Sequence, residues 1–472
     1  MPDQSVRTET DSLGTIEIAA DRLWGPQTER ARRLFRIGSE VFPRPLIRAV
    51  GLQKQAAAEA NQALGELPAE IAGPIIAAAR EIAANELDAD FPLHVWQTGS
   101  GTQTNMNANE VISNRANQML GQPLGSRKPV HPNDHVNRGQ SSNDSFPAVM
   151  HVAAAELVTQ RLLPGLETLQ ASLAGRAEEW AGITKLGRTH LMDAVPITLG
   201  QEFAAWALQV EYGVARVKAA LPDLLRLPQG GTAAGTGLNT HPGFAVHFAR
   251  RMAALTGLPF IAHPNPFEGM MAHDAFVALQ GAMNTVAVSL TKIANDVRLL
   301  SSGPRAGLGE LVIPADGLSS SIMPGKINPT QAEALTMICA QVMGNTTTIT
   351  VAGAQGHLEL NVFKPVIIQA VLQSATLLAD AAESFAQNMV DKLEPNRDRI
   401  AENLAKSLML VTALNPKIGY DKAVQIGKKA LAENLTLRDA AEQLGFVTPA
   451  DFDRWVRPEE MTRPGVTPPV VE

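Results

Sequence analysis

Three stretches of this chain carry no charged side chain: Ala275 to Thr291, Ala334 to Gly356 and Val366 to Ala379. A helix without charge on any side is normally buried all round or lies in a membrane. A membrane span needs about 20 predominantly apolar residues. These stretches instead carry Gln280, Asn284, Gln341, Asn345, Thr346, Thr347, Thr348 and Gln373, which favours burial in protein. In the first stretch and just beyond it, Leu279, Met283, Val286, Leu290, Ile293, Val297 and Leu300 follow a 4-3-4-3-4-3 spacing, a heptad seam on one long helix. One seam serves a two-helix contact. The uncharged Ala282, Ala287 and Val288 on other faces require further neighbours, so the pattern predicts a central long-helix bundle shared between subunits.

The remaining composition agrees. At 472 residues the chain is long enough for two to four domains. Its 45% hydrophobic content with only 4% aromatic residues implies a core of Ala, Leu, Val, Ile and Met, which favours helices over a β-sandwich. A net charge of -7 and the lack of any long basic run argue against a nucleic-acid surface. The single cysteine, Cys339, permits no internal disulfide and lies in apolar Thr-Met-Ile-Cys-Ala, which reads as a buried small hydrophobe. The first residues lack an apolar signal region and include acids, so a cytoplasmic location is expected.

Along the chain, Gly14-Thr-Ile-Glu-Ile-Ala alternates like a short strand. Helical patterns run from Leu46 to Gly65 and from Ala69 to Glu86. Polar stretches follow at Gln97 to Asn109 and His131 to Asp144. Beyond Lys364-Pro365 the chain turns helical again, with Thr436 placed to cap a short helix and a Pro-rich tail from Arg463. These pattern changes place borders near 138 and 365.

Five polar clusters carry the candidate chemistry. The first, Thr98 to Asn107, contains Gly99 and Gly101, but without a third glycine or a Gly-Lys-Ser/Thr it makes a poor phosphate loop. Ser100, Thr102, Thr104, Asn105 and Asn107 instead suit a carboxylate cradle, with a polar helix cap as the bland alternative. In the second, His131 and His135 have the spacing of metal ligands on a helix, but Pro132 and the absence of a nearby third ligand argue against zinc. Ser141, Ser142 and Asn143 add neutral donors. In the third, Gly187-Arg-Thr-His, His190 precedes a helix-like pattern and is the natural acid/base at neutral pH. The fourth, Gly230 to Asn239, could lend backbone donors. The fifth, Ser319 to Glu333, packs three serines, a glycine, Lys326 and Asn328 ahead of a helical pattern. Ser320 becomes a usable base only if N–H groups or a cation stabilise its alkoxide. Together the clusters suit a small polycarboxylate and proton chemistry without a cofactor.

These residues resemble the class II fumarases of the fumarase/aspartase superfamily over nearly the whole chain. The markers include Trp96-Gln-Thr-Gly-Ser-Gly-Thr-Gln, His131-Pro-Asn-Asp, Gln140-Ser-Ser-Asn-Asp, Gly187-Arg-Thr-His, Ser320-Ser-Ile-Met-Pro-Gly-Lys-Ile-Asn-Pro and Arg454-Trp-Val-Arg-Pro-Glu-Glu-Met. The resemblance implies a mainly α fold of three domains (1–138 N-terminal, 139–365 long-helix bundle, 366–472 small C-terminal), a small β element near the N-terminus, and a homotetramer whose active sites draw on three chains. It implies interconversion of fumarate and L-malate with no cofactor and no metal. By that resemblance Ser320 is the base at C3, and Lys326 and Asn328 hold the aci-carboxylate. His190 acts at the departing hydroxyl with Glu333 as orienter. Ser100, Gly101, Thr102, Ser141, Ser142, Asn143, Thr189 and Ser321 bind carboxylates, and His131, Asn133 and Asp134 match a second dicarboxylate site. Three positions depart from the family pattern: Ser319 replaces a glycine, Met192 a glutamine and His135 an acid. The alternatives are an aspartase-type ammonia lyase and a non-catalytic helical scaffold.

Overall fold

The computed structural model describes residues 5–317 and 320–464. The chain is mainly α, and among the described residues strands occur only in two-stranded sheets. It forms two compact units: Met1–Gly165, Gly213–Val288 and Ile338–Asp380 in the first, and Leu166–Tyr212, Ser289–Met337 and Ala381–Glu472 in the second.

The first unit opens with the antiparallel hairpin Val6–Asp11 and Gly14–Ala19, whose buried Ile16 and Ile18 follow the alternation seen in the sequence. The helix Arg44–Ala63 then packs against Ala69–Ala83. Gly51 sits at their contact, where an added Cβ would lie 2.4 Å from the Ala83 backbone nitrogen, so only glycine lets the helices approach this closely. The Thr102–Met119 helix carries buried Glu110, which accepts bonds from the backbone N–H groups of Gly25, Gln27 and Thr28 and so fastens the N-terminal segment. Polar residues of the charge-free stretches bond one another here, while Gln280 Oε1 stays buried without a hydrogen-bond partner among the described residues. Gln280 donates to the Val342 carbonyl at 3.1 Å and to Thr346 Oγ1, while Asn345 donates to Gln373 Oε1 at 2.9 Å and Ser374 Oγ at 3.0 Å. Buried amides paired in this way cost little and fix helix register.

The heptad seam behaves as the spacing predicts. Leu279, Met283, Leu290, Ile293 and Val297 are fully buried along the helix Asp274–Leu300, and each buried side chain contributes about 2 kcal/mol. Val288 on another face of that helix is 53% exposed, and Met337 and Val351 on Thr330–Gly353 are likewise exposed. Among the described residues one helix, Lys364–Lys392, is long and apolar enough to cross a membrane, yet 67% of its most apolar window is buried within the protein.

In the second unit, the hairpin Thr184–Thr189 and Met192–Thr198 is rooted in buried ion pairs. Glu310 meets Arg188 at 2.6 Å and Lys185 at 3.2 Å. Burial alone would raise the Glu310 carboxyl, but the Arg188 hydrogen bond and both cations hold it below the ordinary value. A small C-terminal core gathers Leu410, Leu414, Ile426, Ala430, Leu437 and Val447. Thr436 caps the Leu437–Gln443 helix, its Oγ1 accepting the Asp439 N–H at 3.0 Å, as its position in the sequence predicts.

Candidate active site

Two groups of candidate residues assemble, one in each unit. In the first unit the N-termini of two helices meet. Gly101 precedes the Thr102–Met119 helix with φ +75°, a left-handed conformation that suits glycine, and the Phe146 ring leaves no room for a Cβ there. Ser141 caps the Ser142–Leu157 helix in a capping box with Asp144. Between them runs a chain of hydroxyls: Ser100 Oγ lies 2.7 Å from Thr102 Oγ1, which lies 2.7 Å from Ser142 Oγ. Two converging helix N-termini edged by hydroxyls make a site for an anion.

Asn143 Nδ2 is engaged by the Ala233 carbonyl at 2.8 Å. The glycine-rich run at 230 thus serves the scaffold. Its Gly230 and Thr232 N–H groups donate to Asp144 Oδ2 at 2.8 and 3.0 Å. Burial pushes the Asp144 carboxyl up to about 6, opposed by the N–H groups of Ser141, Gly230 and Thr232.

The floor of the Ser100 loop is set by Gly99. A Cβ there would stand 1.3 Å from the Val362 carbonyl oxygen, and the Gly99 carbonyl accepts the Lys364 N–H at 3.0 Å. Gly99→Ala is therefore expected to displace the Ser100–Thr102 hydroxyls or the 361–364 segment and to lower Tm by several degrees. Scanning calorimetry beside a steady-state KM would check it, and an unchanged Tm and KM would contradict this packing.

His131 and His135 do not form a metal pair. The His135 Nδ1 accepts the His131 backbone N–H at 2.9 Å, and the His131 Nδ1 accepts the N–H groups of Asn133 and Asp134 at 3.3 and 3.2 Å. His131 thus caps the turn Pro132–Val136, leaving Asn133 and Asp134 exposed beside it.

In the second unit His190 stands at the tip of a hairpin. The expectation that a helical pattern follows it is corrected: Met192–Thr198 is a strand, and the helix starts only at Leu199. Thr189 pairs with Met192, so His190 and Leu191 are the two turn residues, with φ +57° and +61°. Such a turn favours glycine or asparagine, and two ordinary side chains there store strain of the kind found at functional sites. Thr189, His190 and Met192 are exposed, and among the described residues the His190 ring has no hydrogen-bond partner.

The opening loop is drawn together by its own backbone. Ser320 N–H donates to the Lys326 carbonyl at 3.3 Å. Ser320 Oγ accepts the N–H groups of Met323 at 3.2 Å and Ile322 at 3.4 Å. These two donors are the help an alkoxide needs. Gly325, at φ +79°, turns the chain so that Lys326 and Asn328 enter an open groove of about 530 Å³ with Glu333. Asn295, Arg298, Ser301 and Ser302 complete its wall. Ser321 is exposed on the same loop. Among the described residues no hydrogen bond joins Glu333 to His190 within this chain. Ser319 lies outside the described residues.

Lys54 is a residue that sequence reasoning missed. The residue is 1% exposed, and its Nζ donates to Asn105 Oδ1 at 2.8 Å, Gln140 Oε1 at 2.9 Å and Asn137 Oδ1 at 3.2 Å.

Comparison with known proteins places these loops in a family. Residues 14–344 match the family described as Lyase, and residues 410–463 match the one described as Fumarase C C-terminus. These define a helical lyase. A fumarate hydratase class II of Caulobacter vibrioides is 58% identical, covering 98% of this chain and 100% of the relative, and the mitochondrial fumarate hydratase of Rattus norvegicus is 56% identical over 98% and 91%. The crystal structure of a class II fumarase from Schistosoma mansoni superposes with a TM-score of 0.94 at 41% identity, covering 98% of this chain and 100% of that one. The chain belongs to the class II fumarate hydratase family.

Proposed function

We propose that this chain catalyses the reversible hydration of fumarate to L-malate, by anti addition and elimination of water through an aci-carboxylate intermediate. The observation that carries the reading is 56–58% identity with fumarate hydratases over 98% of the chain, together with the presence of Ser320, Lys326, Asn328 and His190. Ser320 Oγ, supported as the alkoxide by the Ile322 and Met323 N–H groups, takes the C3 proton of malate and becomes the neutral hydroxyl. Removing that proton leaves two negative charges on one carboxylate, which Lys326 and Asn328 stabilise. His190 serves the departing hydroxyl through a water, oriented by Glu333. Ser100, Gly101, Thr102, Ser141, Ser142, Asn143, Thr189 and Ser321 hold the carboxylates. His131, Asn133 and Asp134 form a second dicarboxylate site. No cofactor or metal takes part.

We further propose a homotetramer, with each active site drawing loops from three chains. Exposed Val288, Met337 and Val351, within the charge-free stretches of their helices, support it, because such side chains are normally covered by another copy of the chain. The same reading divides the chain into domains 1–138, 139–365 and 366–472 and keeps the enzyme in the cytoplasm.

Mixing purified protein with L-malate, without added metal or nucleotide, is expected to raise absorbance in the fumarate band. A native mass four times 50.3 kDa is expected alongside. Ammonia released from L-aspartate in place of that rise would move the chain to the aspartase branch. No turnover of either substrate would leave a scaffold.

A further inference from the structure

Lys54 lies on the Arg44–Ala63 helix, outside every loop assigned a chemical role above. Its ammonium has three donors and meets three side-chain oxygens, all from neutral amides. These amides have specific places. Asn105 is in the first turn of the Thr102–Met119 helix, its N–H bonded to the Gly101 carbonyl at 3.1 Å. Asn137 and Gln140 lie in the segment leading into Ser141 and the Ser142–Leu157 helix. Because all three oxygens face a cation, their NH₂ groups must point away from it. Asn105 then donates to Asn137 Oδ1 at 3.2 Å, Asn137 to the Gln140 carbonyl at 3.1 Å, and Gln140 to the Val136 carbonyl at 3.0 Å. An apolar residue at position 54 would leave each amide free to turn over.

The network continues to the second helix. Gln53 donates to Gln140 Oε1 at 2.9 Å and to Gln229 Oε1 at 2.7 Å, and Gln229 donates to Asp144 Oδ2 at 2.9 Å. Asp144 Oδ1 in turn accepts the Ser141 N–H at 2.9 Å. One buried cation therefore ties together both helix starts whose hydroxyls, Thr102 and Ser142, stand 2.7 Å apart.

We infer that Lys54 is a positioning residue for dicarboxylate binding: its buried charge registers the two helix N-termini against each other and adds positive potential behind the Ser100–Thr102–Ser142 hydroxyls. The inference rests on the reading of that cluster as a carboxylate cradle. The cradle's visible donors are neutral, and a desolvated ammonium behind them acts on a bound anion through low-dielectric protein. Among the described residues Asp144 is the charged group that acts on Lys54, and the groups bonded to Lys54 from the Thr102–Met119 helix and the 137–140 segment are uncharged.

This arrangement has a pH signature. Burial pushes the Lys54 ammonium down to about 7, with Asp144 acting in the opposite direction. An anion in the cradle favours protonated Lys54, so by linkage anion binding weakens as pH rises through that value. A tenfold difference in affinity between the two protonation states equals one unit of pKa change on binding.

The test is calorimetric binding of succinate, a four-carbon dicarboxylate that cannot eliminate water, to the intact protein at about pH 6 and about pH 8.5. Wild-type affinity is expected to fall about tenfold across that interval. Lys54→Met is expected to bind about tenfold more weakly at the lower pH and to lose nothing further at the higher. A lysine with a purely structural role would change stability without removing the pH limb. Wild-type affinity that is flat with pH overturns the inference even if the variant fails to fold, and so does a variant that keeps the wild-type pH dependence. Thr102→Val tests the cradle separately: unchanged succinate binding there would remove the cradle reading itself, whereas weakened binding with a pH-flat wild type would remove Lys54 alone.

Discussion

Ser320→Ala is expected to lower kcat for malate dehydration by at least about 10²–10⁴-fold, the range for losing a general base, while native mass and Tm stay close to wild type. The asymmetry follows from the loop. Ser320 Oγ accepts two long backbone bonds, from Met323 at 3.2 Å and Ile322 at 3.4 Å, and Ile322 and Met323 are exposed. Removing the oxygen leaves those N–H groups to water, at little cost to folding. Catalysis loses the oxygen that the two donors converge upon. A hydroxyl is a poor base at its free pKa, so the donors matter only if they stabilise the alkoxide. Ser321→Ala supplies the control. Its side chain is exposed on the same loop without that backbone support and is proposed to bind a carboxylate, so KM should move more than kcat. Near-normal turnover of Ser320→Ala would remove Ser320 from the mechanism.

The parts of the fold readable in the sequence are those set by local periodicity. The heptad seam from Leu279 to Leu300 is buried residue by residue, because a 4-3 spacing leaves a helix one stripe to hide. The strand at Gly14 and the cap at Thr436 are equally local. Element edges shifted for identifiable reasons. The helix read from Leu46 begins at Arg44, since Pro45 is tolerated in a first turn. The helix read to Glu86 ends at Ala83, where Asn85 at φ +62° stops it. His190 illustrates a misleading signal. A two-residue hairpin turn normally announces itself with Asn-Gly or Asp-Gly, and here it is His-Leu, so the strand after it read as helix.

The candidate site was readable where donors cluster in sequence, as at Ser100–Thr102, Ser141–Asn143 and Ser320–Asn328. It was unreadable where burial alone gives a residue its importance. Lys54 sits in Gln-Lys-Gln-Ala-Ala-Ala, which looks like any solvated helix face, and nothing local indicates that its Nζ meets residues some 50 to 90 positions away. The glycine run at 230 reads as a source of backbone donors, but its Gly230 and Thr232 N–H groups point at Asp144. The His131 and His135 pair shows the converse. Metal-like spacing arises here from a capped turn in which each ring accepts backbone N–H groups.

Lys326→Met is expected to raise KM and lower kcat together, reducing kcat/KM by about 10²–10³-fold, the size of losing one preorganised donor to a developing charge. Lys326 stands exposed in the groove with Asn328, Glu333 and Arg298, and among the described residues no carboxylate pairs with it. A cation held without a partner beside an amide donor is prepared for an incoming anion. The ground-state carboxylate carries one charge and the aci-carboxylate two, so the same ammonium contributes more as the proton leaves C3. Its loss should therefore register in kcat as well as in binding. Lys326→Arg sharpens the test. It keeps the charge but replaces a compact ammonium with a planar fork, so it should retain much of the affinity for succinate while recovering less of kcat. Full recovery of kcat by arginine would mean that charge alone suffices, and unchanged constants in Lys326→Met would take the lysine out of the site.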